Sequence, residues 1–147
     1  MAEFLIRPAV EEDSSIIRTM VHDARINPMG LDWHRFVVAQ SPEGAVAGIG
    51  QVKPHGRDVR ELASIVVVRE FRGLGISRLI INRLLEIHPM PVYLMCRSQL
   101  ETFYVKFGFR ALSLDEMPDY FRRMAVLAGF FSSLQKDGNS LAVMKRD

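Results

Sequence analysis

Residues 72–78 read Arg-Gly-Leu-Gly-Ile-Ser-Arg, which sets two glycines between basic residues in one short stretch. Upstream, residues 61–68 read ELASIVVV, the β-branched apolar composition of a buried strand. Downstream, Ile76, Leu79, Ile80, Arg83, Leu84 and Ile87 fall at helical spacing and make one face that is apolar except for Arg83. A strand, a glycine turn and a helix in that order form a phosphate-binding device. The first helical N–H groups have no intrahelical acceptor, and the helix dipole makes that end positive. An anionic ligand is therefore expected at this turn. The backbone N–H groups of Gly73, Leu74, Gly75, Ile76 and Ser77 are its candidate donors. Glycine at 73 and 75 allows close approach and positive φ, and Arg72 and Arg78 add positive charge.

Other reactive side chains are sparse. Four histidines (His22, His34, His55, His88) and one cysteine, Cys96, are scattered without metal-ligand spacing, so no metal site is expected. Cys96 ends an apolar stretch and reads as buried rather than nucleophilic. A lone cysteine excludes an intramolecular disulfide, which fits a reducing, cytoplasmic setting. His55 lies in a turn and is a candidate base, since histidine titrates near neutrality; an exposed loop histidine is the plain alternative.

The elements that must position these groups belong to one chain of 147 residues, a size suited to one domain spanning 1–147. Hydrophobic residues make up 48% and charged residues 24%, an ordinary globular balance. A net charge of +2 argues against a nucleic-acid partner. No apolar run has the length of a membrane span, and the opening MAEFLIRPA lacks the pattern of a signal peptide.

In chain order, the first strand is expected over Phe4–Arg7. A helix follows, opened by Glu11, Glu12 and Asp13 and carrying Ile16, Ile17, Met20, Val21 and Ala24 to about Arg25. Asn27, Pro28 and Gly30 break it, and Met29–His34 reads as loop. Phe36–Ala39 and Ala45–Lys53 read as a hairpin around a turn at Ser41–Gly44. The fourth strand begins near Arg60, and its helix stops at His88 and Pro89. Val92–Cys96 is a fifth strand, in a right-handed β–α–β unit with the fourth. Leu100, Phe103, Tyr104 and Phe107 make a helical stripe over Gln99–Phe107, closed by Gly108 as a left-handed cap. Phe109–Leu112 is a sixth strand. Pro118–Ser133 is a helix with Phe121, Met124, Ala125, Ala128 and Phe131 on one side. A turn at Lys136–Asn139 leads to a last strand, Leu141–Met144. The result is a mixed α/β sheet with helices on both faces.

That order, with RGLGIS after the fourth strand and FYVKFGF after the fifth, resembles the GCN5-related N-acetyltransferase (GNAT) superfamily over nearly the whole chain. Arg72, Gly75 and Ser77 take the places of the family's acyl-CoA loop, with Ser77 where Gly or Ala is usual. Phe103, Tyr104, Gly108 and Phe109 match its second hallmark, while the Asn that often opens that helix would fall near Arg97 and is missing. The resemblance implies a GNAT-like twisted mixed sheet of about six to seven strands. It also implies a transferase that moves an acetyl group from acetyl-CoA directly to an amine. The loop at 72–78 would hold the diphosphate, and Ile65, Val66 and Val67 would pair with the pantetheine arm where strands four and five splay.

The reaction needs a neutral amine, a donor for the developing oxyanion and a proton for the leaving thiolate. By family position Tyr104 is the candidate for that last proton, against the alternative of a core aromatic. Glu61 is a candidate base, against the alternative of a solvated strand-end charge. A backbone N–H where the fourth strand bends is the expected oxyanion donor. Trp33 and His55, with Asp32, His34, Glu116, Asp119, Tyr120 and Phe121, lie in segments that select the acceptor in this fold. The acceptor stays open among an antibiotic-like amine, a polyamine, an amino acid, a protein N-terminus and a lysine side chain, that is, a small-molecule or peptide amine. A non-catalytic acyl-CoA-binding or regulatory module is the rival reading. A nucleotide-binding β–α–β domain is a third, although the turn lacks both the P-loop Lys–Ser/Thr pair and the full GxGxxG. Phe121, Phe130, Phe131 and Leu134 exceed one narrow stripe and either cover the core or form a homodimer contact.

Overall fold

The computed structural model describes residues 3–135 and 140–147, with the backbone alone over 128–135. Its elements are β1 (Leu5–Pro8), α1 (Ser14–Asp23), β2 (Phe36–Gln40), β3 (Val46–Pro54), β4 (Arg60–Val67), α2 (Ile76–Ile87), β5 (Val92–Arg97), α3 (Glu101–Val105), β6 (Arg110–Ala111), α4 (Asp119–Gln135) and β7 (Leu141–Arg146). This is the order of strands and helices that the sequence predicts. The expected turn at Lys136–Asn139, and the faces assigned to Ala128, Phe130, Phe131 and Leu134, lie outside the described residues.

The chain forms two compact units, one running to Lys53 and resuming over Leu62–Pro89, the other made of Pro54–Glu61 and Met90 onward. In the first, the strand order is β1-β2-β3-β4. β1 and β2 are antiparallel from Leu5↔Gln40 to Pro8↔Val37, and the expected hairpin joins β2 to β3, with Phe36 opposite Gln51. Alternation along β3 decides how helices cover it. Gly48 and Gly50 face α2. A Cβ on Gly50 would lie 2.6 Å from both Ile65 Cδ1 and Ile80 Cγ2, and one on Gly48 would lie 2.9 Å from Ile80 Cδ1. Ile49, between them, is buried with Val38 and with Ile17, Met20 and Val21 of α1. Helices thus cover both faces of this sheet, and α2 lies close because glycine replaces side chains beneath it.

That close approach corrects the expected face of α2. Its buried residues are Ile76, Ile80, Ile81 and Leu84, whereas Leu79 and Ile87 are 43% and 48% exposed. Spacing alone admits either flank of the 76-80-84 row; the glycine floor selects the flank that holds Ile81. Arg83 is accordingly on the surface, 3.5 Å from Glu86.

The second unit contains β5, β7 and β6 in that spatial order. β5 and β7 are antiparallel from Val92↔Arg146 to Arg97↔Leu141. The first residues of β4 belong to this unit, and Glu61 pairs in parallel with Tyr93 of β5. Tyr93, Leu112, Met117, Phe121 and Val143 form its buried cluster. α3 is shorter than expected because its first turn, Ser98–Leu100, is a 3₁₀ helix. Gly108 closes it at φ +92°, as predicted for a left-handed cap.

Candidate active site

The glycine turn is built for access. After β4 a 3₁₀ turn, Arg69–Phe71, is anchored by the edge-to-face contact of Phe71 with Phe4 at 5.6 Å. Arg72 turns its Nε toward Val67 O at 3.4 Å. Gly73 and Gly75 follow at φ +81° and +79°, and a Cβ on either would meet no heavy atom within 4 Å. These glycines therefore serve backbone conformation and open space rather than close packing. Gly75 is the N-cap of α2, and no side chain caps the helix. The early N–H groups of a 12-residue helix thus open on unobstructed space, with Arg72 and Arg78 exposed beside them. Ile76 turns its side chain into the core, so only its backbone is available to a ligand.

Ile65, Val66 and Val67 are half-buried at the end of β4. Ser64, just before them, has φ +58° in the middle of a strand. Its Oγ accepts a 2.9 Å hydrogen bond from Nε2 of Gln51, a residue of β3 with no solvent exposure. Sequence reading missed both residues. The available signal was a polar side chain interrupting each of two apolar strands.

Glu61 and His55 meet in the second unit. Glu61 is 6% exposed, which removes the alternative of a solvated strand-end charge. His55 Nε2 lies 2.7 Å from Glu61 Oε1. The imidazole stacks on Tyr120 at 3.7 Å and meets the edge of Phe121 at 5.8 Å. Opposite an ionised carboxylate, which only accepts, Nε2 is the nitrogen that donates. Burial, and then the charge of Glu61, raise the phenol pKa of Tyr120.

Tyr104 lies on α3 between Phe103 at 5.0 Å and Phe109 at 6.1 Å. Burial and then the neighbouring Cys96 push its phenol up to about 12. It stays a donor throughout the neutral range. Cys96 is itself buried, and burial pushes its thiol up to about 11, the opposite of an activated nucleophile. In the first unit Trp33 stacks on His34 at 3.7 Å, and His34 Nδ1 is 2.7 Å from Asp32. Trp33 also lines a polar groove along α1 with Glu11, Glu12 and Arg18. Among the described residues, no group of three or more His, Cys, Asp or Glu could hold a metal ion.

A family model described as an acetyltransferase (GNAT) domain matches residues 32–111, just over half of the chain's 147 residues. The chain belongs to that family. As a GNAT acetyltransferase it moves an acetyl group from acetyl-CoA to an amine, the activity its sequence predicted. The match contains the glycine turn, the His55–Glu61 pair and Tyr104. The Neisseria gonorrhoeae N-acetylglutamate synthase, solved with coenzyme A and N-acetyl-glutamate, is similar at TM-score 0.70 and 17% identity. This GNAT chain is covered over 99% of its length in that comparison but spans only 35% of the synthase. The Mycobacterium tuberculosis protein Rv2747, solved with CoA and NLQ, is similar at TM-score 0.70 and 22% identity, over 95% of this chain and 97% of that one. Ard1 from Thermoplasma volcanium is similar at TM-score 0.67 and 16% identity, over 97% and 96%. Identities this low carry the fold alone. No curated protein matches the sequence. No described helix is long and apolar enough to cross a membrane.

Proposed function

We propose that residues 1–147 act as one N-acetyltransferase domain in which the 72–78 turn binds the acetyl-CoA diphosphate. The backbone of Ile65–Val67 holds the pantetheine arm, and the Glu61–His55 pair is the base. The observation that carries this reading is the turn itself, with two left-handed glycines and empty space where their side chains would stand, at an uncapped helix N-terminus. The acceptor amine gives up its proton to the His55–Glu61 pair, leaving an imidazolium held by the carboxylate. The amine nitrogen then bonds to the acyl carbon, the C–S bond breaks, and the nitrogen's remaining surplus proton passes to solvent as the CoA thiolate departs. Tyr104 donates a hydrogen bond to that sulfur. Its phenol at about 12 is a weaker acid than a thiol of ordinary pKa ~8.5, so it stabilises the thiolate rather than protonating it outright.

Trp33 and His55 are the acceptor-side residues of this reading, and the acceptor is a small-molecule or peptide amine. Structural neighbours solved with N-acetyl-glutamate or L-arginine support starting with amino acids. The buried, free Cys96 suits a reducing cytoplasm. Calorimetric titration with acetyl-CoA, followed by thiol release over a panel of amino acids, polyamines and peptides, tests the proposal. Micromolar binding with turnover of one amine class is expected. Binding without turnover would favour a regulatory acyl-CoA module, and no binding would end the cofactor reading.

A further inference from the structure

Two costs coincide at the middle of β4. Ser64 holds φ +58°, a conformation that costs an L-residue about 1–2 kcal/mol. Arg25, the other described non-glycine residue with positive φ, lies just past the end of α1, where such geometry commonly ends a helix. Ser64 ends nothing; it interrupts a strand. The second cost is Gln51. Its Nε2 reaches Ser64 Oγ, and its Oε1 is buried with no hydrogen-bond partner. A buried unmatched amide end costs on the order of 1–3 kcal/mol, so an apolar residue here would fold at least as well. Strain and an unmatched polar group, joined by one hydrogen bond, mark a position held for something other than stability.

We propose that Gln51 is a positioning residue: through Ser64 Oγ it clamps the left-handed kink of β4, so that the backbone N–H beside the kink meets the thioester carbonyl oxygen. The inference rests on the reading that β4 carries the acyl end of acetyl-CoA. A left-handed residue breaks the strand's alternation, and on this proposal the next N–H, that of Ile65, is the donor turned out of the ladder. An N–H so fixed stabilises the oxyanion without reorganising during the reaction. Serine at this position needs the clamp because it carries a Cβ, whereas glycine would take the same φ without one.

Isotope-edited infrared spectra of bound [1-13C]acetyl-CoA test this without any acceptor. In the wild type the carbonyl stretch is expected to move to lower frequency than in free acetyl-CoA. Gln51→Met, similar in size and apolar, loses most of that shift, and Gln51→Met/Ser64→Gly recovers it. With an accepted amine, kcat falls about a hundredfold in Gln51→Met and recovers in the double variant, while KM for acetyl-CoA stays within about twofold. Ser64→Ala, which keeps the Cβ and loses the hydroxyl, serves as an independent arm should Gln51→Met fail to fold, and is expected to lose the shift as well. A Gln51→Met or Ser64→Ala protein that binds acetyl-CoA with the wild-type carbonyl frequency overturns the clamp alone, as does an unshifted carbonyl in the wild type. A wild type that does not bind acetyl-CoA fails the cofactor reading, and the clamp with it.

Discussion

His55 Nε2 lies 2.7 Å from Glu61 Oε1, and both side chains are largely shut off from solvent, at 17% and 8% exposure. Tyr120 stacks on the open face of the imidazole. If the pair is the base, two side chains enclosed together in this way are expected to act as a unit. Glu61→Gln and His55→Ala are each expected to lose about 10²–10⁴-fold in kcat/KM for an accepted amine. The double variant should lose little more, because the second removal finds the pair already broken. Steady-state kinetics of the three variants decide it, and fully multiplicative losses would show that the residues act separately.

Tyr104 is a proton-bearing donor at every ordinary assay pH. Its phenol, raised to about 12 by burial and then Cys96, is neutral well beyond the neutral range. Tyr104→Phe should lower kcat about 10–100-fold with KM for acetyl-CoA nearly unchanged, and should leave the shape of the pH–rate profile below pH 10 intact. The raised value also sets a sign for stability. The contribution is complete below the unfolded value of 10.0 and is lost as pH rises from there through about 12. Denaturant unfolding at pH 8 and pH 11 should therefore show a fall in the wild type that is smaller in Tyr104→Phe.

Arg7 and Asp13 tie β1 to the start of α1. Arg7 Nη1 is 2.7 Å and Nη2 3.1 Å from the carboxylate of Asp13, which also accepts from Val10 N at 2.8 Å. The hydrogen bond from Arg7 is the main reason the Asp13 carboxyl lies below its ordinary value. A depressed carboxyl contributes stability above its unfolded pKa and loses it as pH falls through the folded one. Asp13→Asn should cost about 1–3 kcal/mol at pH 7 and much less near pH 3. Urea midpoints at the two pH values measure it.

Gly50 gives α2 its seat. Its backbone would accept alanine, but the Cβ would stand 2.6 Å from Ile65 Cδ1 and Ile80 Cγ2. Gly50→Ala is expected to cost about 1–3 kcal/mol by overpacking, read as a lowered denaturation midpoint. An unchanged midpoint would mean that α2 shifts freely on the sheet.

Gly75 differs in kind, since space around it is open and only its φ of +79° demands glycine. Gly75→Ala should raise the Kd for acetyl-CoA about tenfold or more while Tm moves only a few degrees. Equal affinity in the variant would place the diphosphate elsewhere.

Much of this molecule was legible along the chain because its signals are local. Alternation and helical spacing depend on neighbours a few residues apart, so all strands and helices appear in the predicted order. Gly73, Gly75 and Gly108 have the positive φ expected of them, since that demand comes from the turn they occupy. The buried face of α2 was not legible, because Leu79 and Ile81 are equally apolar and only the glycines of β3 choose between them.

The sequence by itself determined the glycine turn, the strand before it and the helix after it, because backbone conformation there follows from residue type. Tertiary structure alone decided which polar groups meet. Glu61 read equally well as a solvated end charge or a base, and only the fold buries it and sets it 2.7 Å from His55. Gln51 and Ser64 lie 13 residues apart on different strands, and their hydrogen bond exists only once β3 and β4 are set side by side. Long-range register, not local preference, brings such pairs together, and one residue of slip would turn each side chain to the opposite face.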